Sequence, residues 1–433
     1  MNIKLVFKLL GRILSMEAAV LVLPMAVALL YHESPMPFVW SILVILCISL
    51  PLSFLPAERH FHVREGFVSV GLLWLLTGVV GGLPFYFSGY FNSFIDCVFE
   101  ASSGFTTTGA TILTNIEALP YGILFWRAFT HWLGGMGVLV LVTAIVPSLG
   151  VRPHYLTQAE TPGPVFSKLV PKQSQTSKIL YQMYFALTLA EVILLKICGL
   201  PLYDALIHSF STAGTGGFSN RNLSVGAYGN PTAEIIIAIF ALLFSLNFGL
   251  YFLLLQRRFK EALKSDEARF FLLLVAGSTA LITINIMPIY ENVWDSLRYA
   301  CFQVASIIST TGFATADFVL WPHFSQMILV ILMFCGACAG STGGGVKCSR
   351  VLLLLRCARR SLRRPGTIEQ LVHADPQKLR RGEEYLQLGQ VPVPLPVAHR
   401  LPGHVEPGGQ LLRPLRVPGH EQLQGGLCPP PPA

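Results

Sequence analysis

The feature that most constrains this chain is a series of apolar runs, each long enough to cross a bilayer core. A helix needs about 20 mostly apolar residues for such a crossing. Eight runs qualify: 13–31, 38–55, 68–87, 123–146, 179–197, 233–255, 270–289 and a broken run from 327. Only 12% of the residues are charged and the mean hydropathy is +0.58, whereas soluble domains carry about 25% charge. An ordinary soluble enzyme is thereby excluded. The expectation is an all-α polytopic membrane protein of about eight spans. Lys4, Lys8 and Arg12 precede the first run. No small-residue cleavage site follows and a second run comes at once, so this start reads as a retained span and not as a cleaved signal.

The net charge of +8 is explained by where it sits. With the N-terminus inside, the inner segments hold 21 Lys and Arg residues, from Lys4 to Arg364, and the outer segments hold only Arg221 and Arg298. That asymmetry is the positive-inside rule. It places the N-terminus in the cytoplasm and leaves no basic surface for a nucleic acid. The nine cysteines are odd in number and lie mostly in apolar runs, so they read as small hydrophobes. Cys335 and Cys338 have redox-motif spacing, but their apolar setting speaks against that role.

Three outer connections, roughly 88–122, 198–232 and 290–326, are long and nearly free of Lys and Arg. Each has the same order: an Asp opening a short semi-apolar helix, a Thr/Gly string, then the next span. The helices open at Asp96, Asp204 and Asp295, read as N-caps. The strings end in Thr107-Thr108-Gly109, Thr215-Gly216-Gly217 and Thr310-Thr311-Gly312. From Asp to the last Gly is 13, 13 and 17 residues, so the third helix has about one extra turn. A unit of span, short helix, string and span thus recurs three times, as in a pseudo-symmetric assembly. A monovalent cation crossing a bilayer must trade water for other oxygens. Carbonyl rings on a Thr/Gly loop behind a short helix do this in potassium channels, and Gly permits the backbone angles involved. A second device is Gly340-Ser341-Thr342-Gly343-Gly344-Gly345-Val346-Lys347, which breaks the eighth run. Irregular backbone at membrane depth is tolerated where it lines a cavity or is buried in protein. A Walker A loop fails here, because Val346 precedes Lys347 and Cys348 stands where Ser or Thr is required.

Together with His131-Trp-Leu-Gly-Gly-Met-Gly137 in the fourth run, these strings resemble the membrane subunit of the bacterial Trk/Ktr potassium uptake systems, and most closely the TrkH/TrkG family. The resemblance covers about residues 1–360. It implies a potassium-channel-like pore folded from four quarter-repeats in one inner-membrane chain. The nine triplet residues would coordinate potassium, the substrate, and Gly109 would favour potassium over sodium. Residues 340–345 and Lys347 would form a gating loop below that filter. The resemblance also implies a homodimer and a cytoplasmic nucleotide- and NAD-binding regulatory ring of the TrkA type. No covalent cofactor is implied, and coupling to sodium or protons is left open.

The parts are then a two-helix segment at 1–60, pore repeats at 61–150, 151–260 and 261–362, and a tail at 363–433. The fourth repeat is missing from this reading. Residues 365–433 hold 13 of the 29 prolines, a composition that neither spans a membrane nor builds a core. The tail reads as a shifted reading frame or as a disordered extension. A non-conducting scaffold is therefore the rival function. Within the spans, Glu191 reads equally as a structural partner or an ion-path residue, and Lys196 as a snorkelling side chain. Asn247 reads as an interhelical hydrogen-bonding group. Arg127 and His131 read as packing groups without a named partner, and Glu100 as a mouth charge or a solvated carboxylate.

Overall fold

The computed structural model describes residues 2–56, 63–135, 137, 173–290 and 292–363. Among them all regular structure is helical, as the apolar runs require: a backbone in hydrocarbon must satisfy its own polar groups. Five helical stretches are long and apolar enough to cross a membrane, and a bent pair makes a sixth.

The first span runs from Ile3 to Leu30 as α1 (Ile3–Val20) and α2 (Val22–Leu30). It starts ten residues before the apolar run, so Lys4, Lys8 and Arg12 lie on the helix itself. The reason is its buried stripe, Leu5, Leu9, Ile13 and their neighbours, which repeats at helical spacing from the start. This stripe packs on α3 (Met36–Ser53). The helices meet so closely at Gly11 that a Cβ there would lie 2.6 Å from Leu52 Cβ.

Three groups of helices follow. The first comprises α4 (Val63–Gly81), α5 (Leu83–Ser88), short α6 (Phe94–Phe105) and α7 (Tyr121–Gly135). In the second, α8 (Gln173–Ile197) leads to short α9 (Leu202–Gly214), then α10 (Pro231–Ser245) and α11 (Phe248–Leu255). The small α12 (Phe259–Leu263) leads into the third group. It holds α13 (Asp266–Tyr290), α14 (Val293–Ile308), α15 (His323–Cys335) and α16 (Cys348–Arg363). In each group the short helix is wrapped by its flanking spans, and in the second and third groups it also touches the preceding group: α7 packs on α9, and α10 on α14. The extra turn is seen directly, since α14 has 16 residues against 12 and 13 in α6 and α9.

One run expected as a continuous span is bent, and another breaks as expected. The 233–255 run bends by 91° between α10 and α11, and the run from 327 stops at Cys335 and resumes at Cys348. Asn247 sits at the bend. It is not an interhelical glue residue; its side chain accepts from Gly249 N at 2.7 Å and caps α11. The second half of the fourth run, Met136 of the His-Trp motif and the 364–433 tail lie outside the described residues.

Candidate functional site

The three Thr/Gly strings leave their helices in the same way. In each, the first triplet residue donates its N–H to the carbonyl three residues back, and the second donates to the carbonyl five back. The pairs are Thr107 to Gly104 and Thr108 to Ser103, Thr215 to Thr212 and Gly216 to Ser211, and Thr310 to Ile307 and Thr311 to Ser306, all at 2.9–3.0 Å. This is the Schellman ending, which needs a left-handed residue just past the helix. Here that residue is Thr, with φ of 53°, 55° and 61° at Thr107, Thr215 and Thr310. A β-branched residue at positive φ is a genuine outlier. Positive φ returns at the third position, 73°, 79° and 84° at Gly109, Gly217 and Gly312, and is absent at the middle one.

The strings also lie side by side. A Cβ on Gly109 would fall 1.8 Å from Gly216 O, and one on Gly217 would fall 2.0 Å from Thr311 O. Around Gly312 nothing lies within 4 Å of that position among the described residues. The strings therefore succeed one another in chain order, string one against two and two against three.

Behind the strings the supports differ. Ser103 and Ser306, each four residues before its first Thr, donate to Ala110 O and Phe313 O at 2.6 Å. Hydroxyl pairs brace strings one and three, Thr106 with Thr108 at 2.8 Å and Ser309 with Thr311 at 2.7 Å. String two has Gly at both of these positions, and the buried His131 fills the space. A Cβ on Gly216 would lie 2.4 Å from its ring, and one on Gly214 would lie 2.3 Å from its carbonyl oxygen. The glycine pair of the His-Trp motif serves the same closeness, since Gly134 abuts Phe105 O and Gly135 abuts Gly214. The serines were missed in the sequence, although their constant offset was available.

Several expectations are corrected. The aspartates are not N-caps. The N-cap positions are Ser93, Pro201 and Asn292, of which Ser93 and Asn292 accept through their side chains, and this puts Asp96, Asp204 and Asp295 at the third helical position, still in the turn where a negative charge complements the dipole. Glu100 is neither a mouth charge nor solvated: it is fully buried and paired with Arg127, Nε to Oε1 at 2.6 Å. Arg127 thus has a partner that sequence distance hid. Lys196 is exposed in the last turn of α8, and Glu191 is buried on α8 beside Thr212 of α9.

The glycine-rich break is stitched to the other broken span. Cys338 N donates to Ser245 O at 3.0 Å, Thr342 Oγ1 to Phe244 O at 3.1 Å, and Phe248 N to Gly340 O at 3.0 Å. The bend at 246–247 frees those groups, and the break takes them up. Glu267 accepts from Ala339 N at 2.7 Å and from Ser349 N at 3.0 Å, closing the other side. Lys347 Nζ is buried and donates to Gly343 O. Two bonds reach the strings: Thr215 Oγ1 to Thr342 O at 3.1 Å, and Gly344 N to Thr310 Oγ1 at 2.7 Å. So the first residues of strings two and three, Thr342 and Gly344 converge in space. No cluster of His, Cys, Asp or Glu that could hold a metal ion occurs among the described residues.

The profile of a family described as TrkH, cation transport protein, matches residues 36–372. The chain is 40% identical over 375 residues to the Trk system potassium uptake protein TrkH of Salmonella typhimurium, covering 84% of this chain and 77% of that protein. It is 33% identical over 346 residues to the Trk system potassium uptake protein TrkG of Escherichia coli, covering 78% and 71%. The crystal structure of the potassium transporter TrkH from Vibrio parahaemolyticus superposes with a TM-score of 0.74 at 34% identity, over 84% of this chain and 76% of that one.

Proposed function

The chain belongs to the TrkH family of cation transport proteins, and from that premise we propose that it takes up potassium across the bacterial inner membrane through a filter of main-chain carbonyls. The observation that carries the reading is the backbone shared by the three triplets, with φ positive at the first and third residues and not at the second. Alternating backbone hand lets successive carbonyls face one side, where they replace the water of a partly dehydrated potassium ion. The ligands are Thr107, Thr108 and Gly109, Thr215, Gly216 and Gly217, and Thr310, Thr311 and Gly312. The C-terminal ends of α6, α9 and α14 add partial negative charge behind them. The names of the TrkH and TrkG relatives support potassium as the substrate. The Lys and Arg distribution supports a cytoplasmic N-terminus. The subunit works as a homodimer with a cytoplasmic nucleotide- and NAD-binding ring.

In this reading Gly340–Lys347 is a gate, latched to the filter base by Thr215 and Thr310. A neutral hydrogen bond contributes a net ~0.5–1.5 kcal/mol, so losing one latch shifts the open-to-closed ratio roughly two- to tenfold. Single-channel recording of the full chain in planar bilayers separates gating from conduction. Thr310→Val raises open probability by that factor, and Thr310→Ser, which keeps the hydroxyl, does not. An unchanged open probability in both Thr310→Val and Thr215→Val overturns the latched gate.

A second reading is favoured by one observation. Gly109 and Gly217 each abut the next string, whereas among the described residues nothing lies within 4 Å of where a Cβ on Gly312 would stand, and the second reading is a non-conducting scaffold. Tracer rubidium uptake by cells lacking other potassium uptake decides: uptake above vector controls sinks the scaffold, and its absence sinks the transporter.

A further inference from the structure

Arg127 belongs to none of the strings, yet it is one of the largest fully buried side chains in the molecule. Its guanidinium makes three contacts of different kinds. Nε donates to Glu100 Oε1 at 2.6 Å. NH1 donates to Ser219 O at 3.0 Å. The plane lies over the Phe218 ring, 3.5 Å from Cζ to the centroid, and Phe218 stacks in turn on His131 at 4.0 Å.

These contacts fall at matching places. Glu100 also accepts from Thr111 Oγ1 at 2.9 and 3.1 Å. Thr111 is two residues past Gly109, and Ser219 is two residues past Gly217. The pair therefore holds the return strands of strings one and two at the same height above the triplets. The corresponding residue of string three is Ala314. It is held without charge: Gly226 N donates to Ala314 O at 3.1 Å, and Ala314 N donates to Ser224 Oγ at 3.3 Å. Strings two and three are thus tied by uncharged bonds, whereas strings one and two, linked at the surface through Asn222 to Ile116 N and Glu117, are tied in the interior by a buried ion pair.

A buried cation beside a cation path is costly unless it is paired. Glu100 supplies that pairing. Hydrophobic residues of similar volume often replace a buried pair without loss of stability, so stability alone does not explain its presence. What Arg supplies is a planar fork that reaches two acceptors on different elements in one fixed geometry, which a lysine ammonium does not reproduce.

We propose that Arg127 is a positioning residue that sets potassium-over-sodium selectivity by fixing the separation of the first and second strings. The proposal rests on the reading of the triplets as the ion filter. Loosening this tie lets Gly109 and Gly216 move apart and accommodates sodium with retained water.

The test is the ratio of potassium to sodium flux through the purified full chain in liposomes, for wild type, Arg127→Lys and the double variant Glu100→Gln with Arg127→Met. Arg127→Lys keeps the charge and lowers the ratio roughly tenfold, equivalent to about 1.4 kcal/mol. The double variant removes both charges together and lowers it as far, because the bridge to Ser219 is still lost. A folded Arg127→Lys or a folded double variant with the wild-type ratio overturns the proposal. Failure of both variants to fold overturns it as well, since the pair would then act on folding. A wild-type chain that does not discriminate potassium from sodium instead overturns the filter reading beneath it.

Discussion

Replacing Gly217 by alanine probes the close succession of the strings, and Gly312→Ala is its internal control. Both residues have the same backbone hand, φ 79° and 84°. An L-residue held there costs about 1–2 kcal/mol, a term the two substitutions share. They differ in what the methyl meets. At Gly217 it would lie 2.0 Å from Thr311 O and 3.1 Å from the carbonyl carbon. A carbon and an oxygen rest in contact at about 3.3–3.6 Å, so one string must retreat by more than an ångström. Forcing a methyl into packed structure costs a further ~1–3 kcal/mol. The sum, about 2–5 kcal/mol, lowers the productive arrangement roughly thirtyfold to several thousandfold. At Gly312 nothing lies within 4 Å among the described residues, and only the strain of roughly five- to thirtyfold remains. The assay is initial tracer rubidium uptake by cells lacking other potassium uptake, normalised to the chain present in the membrane. Equal losses in the two variants refute the argument that the neighbouring carbonyl decides. Near-normal uptake by Gly217→Ala refutes the strain argument too.

Two further perturbations address the broken spans. Glu267→Ala removes the acceptor of the Ala339 and Ser349 amides. Hydrogen bonds to a charged group contribute about 1.5–3 kcal/mol, so amide exchange at residues 339 and 349 rises at least roughly tenfold; unchanged exchange contradicts the role given to Glu267. Asn247→Ala removes the cap of α11, at a cost of ~1 kcal/mol. The thermal unfolding midpoint in detergent falls by about 2–4 °C, and an unchanged midpoint contradicts the cap.

Much of this was legible from periodicity and from repetition along the chain. Apolar runs gave the spans because the bilayer sets their length, and three similar strings located the helices α6, α9 and α14. The extra turn of α14 followed from counting residues. What sequence order could not supply was pairing across the fold. Glu100 and Arg127 lie 27 residues apart on helices whose relative placement depends on the path of 106–120 between them. Each looked unpartnered when its own helix was considered alone. The capping error has a local cause. Ser93 and Asn292 are as good caps as Asp, and the choice among neighbouring capping residues falls to where the backbone leaves the extended region. The bend at Asn247 was hidden because apolarity continues across it, and hydropathy registers the side chains while the break is a main-chain event. The sequence places His131 among packing groups. That is correct in kind, but only the structure shows that its ring stands where strings one and three place hydroxyl pairs.

Thr at the first triplet position carries the remaining argument. Gly would relieve the left-handed strain at Thr215 and Thr310, about 1–2 kcal/mol each, so a side chain there must return something. In both cases the hydroxyl bonds the glycine-rich break, through Thr342 O and Gly344 N. A strained residue persists only where its surroundings over-determine it, and at these two positions the break forms part of those surroundings. In the proposed reading the strings and the break therefore share one energy: withdrawing the break would remove bonds that offset the strain at Thr215 and Thr310, and relaxing those residues would withdraw the anchors of the break. On that reading, opening and ion coordination would be coupled through these two hydroxyls, without any contact that must travel across the protein.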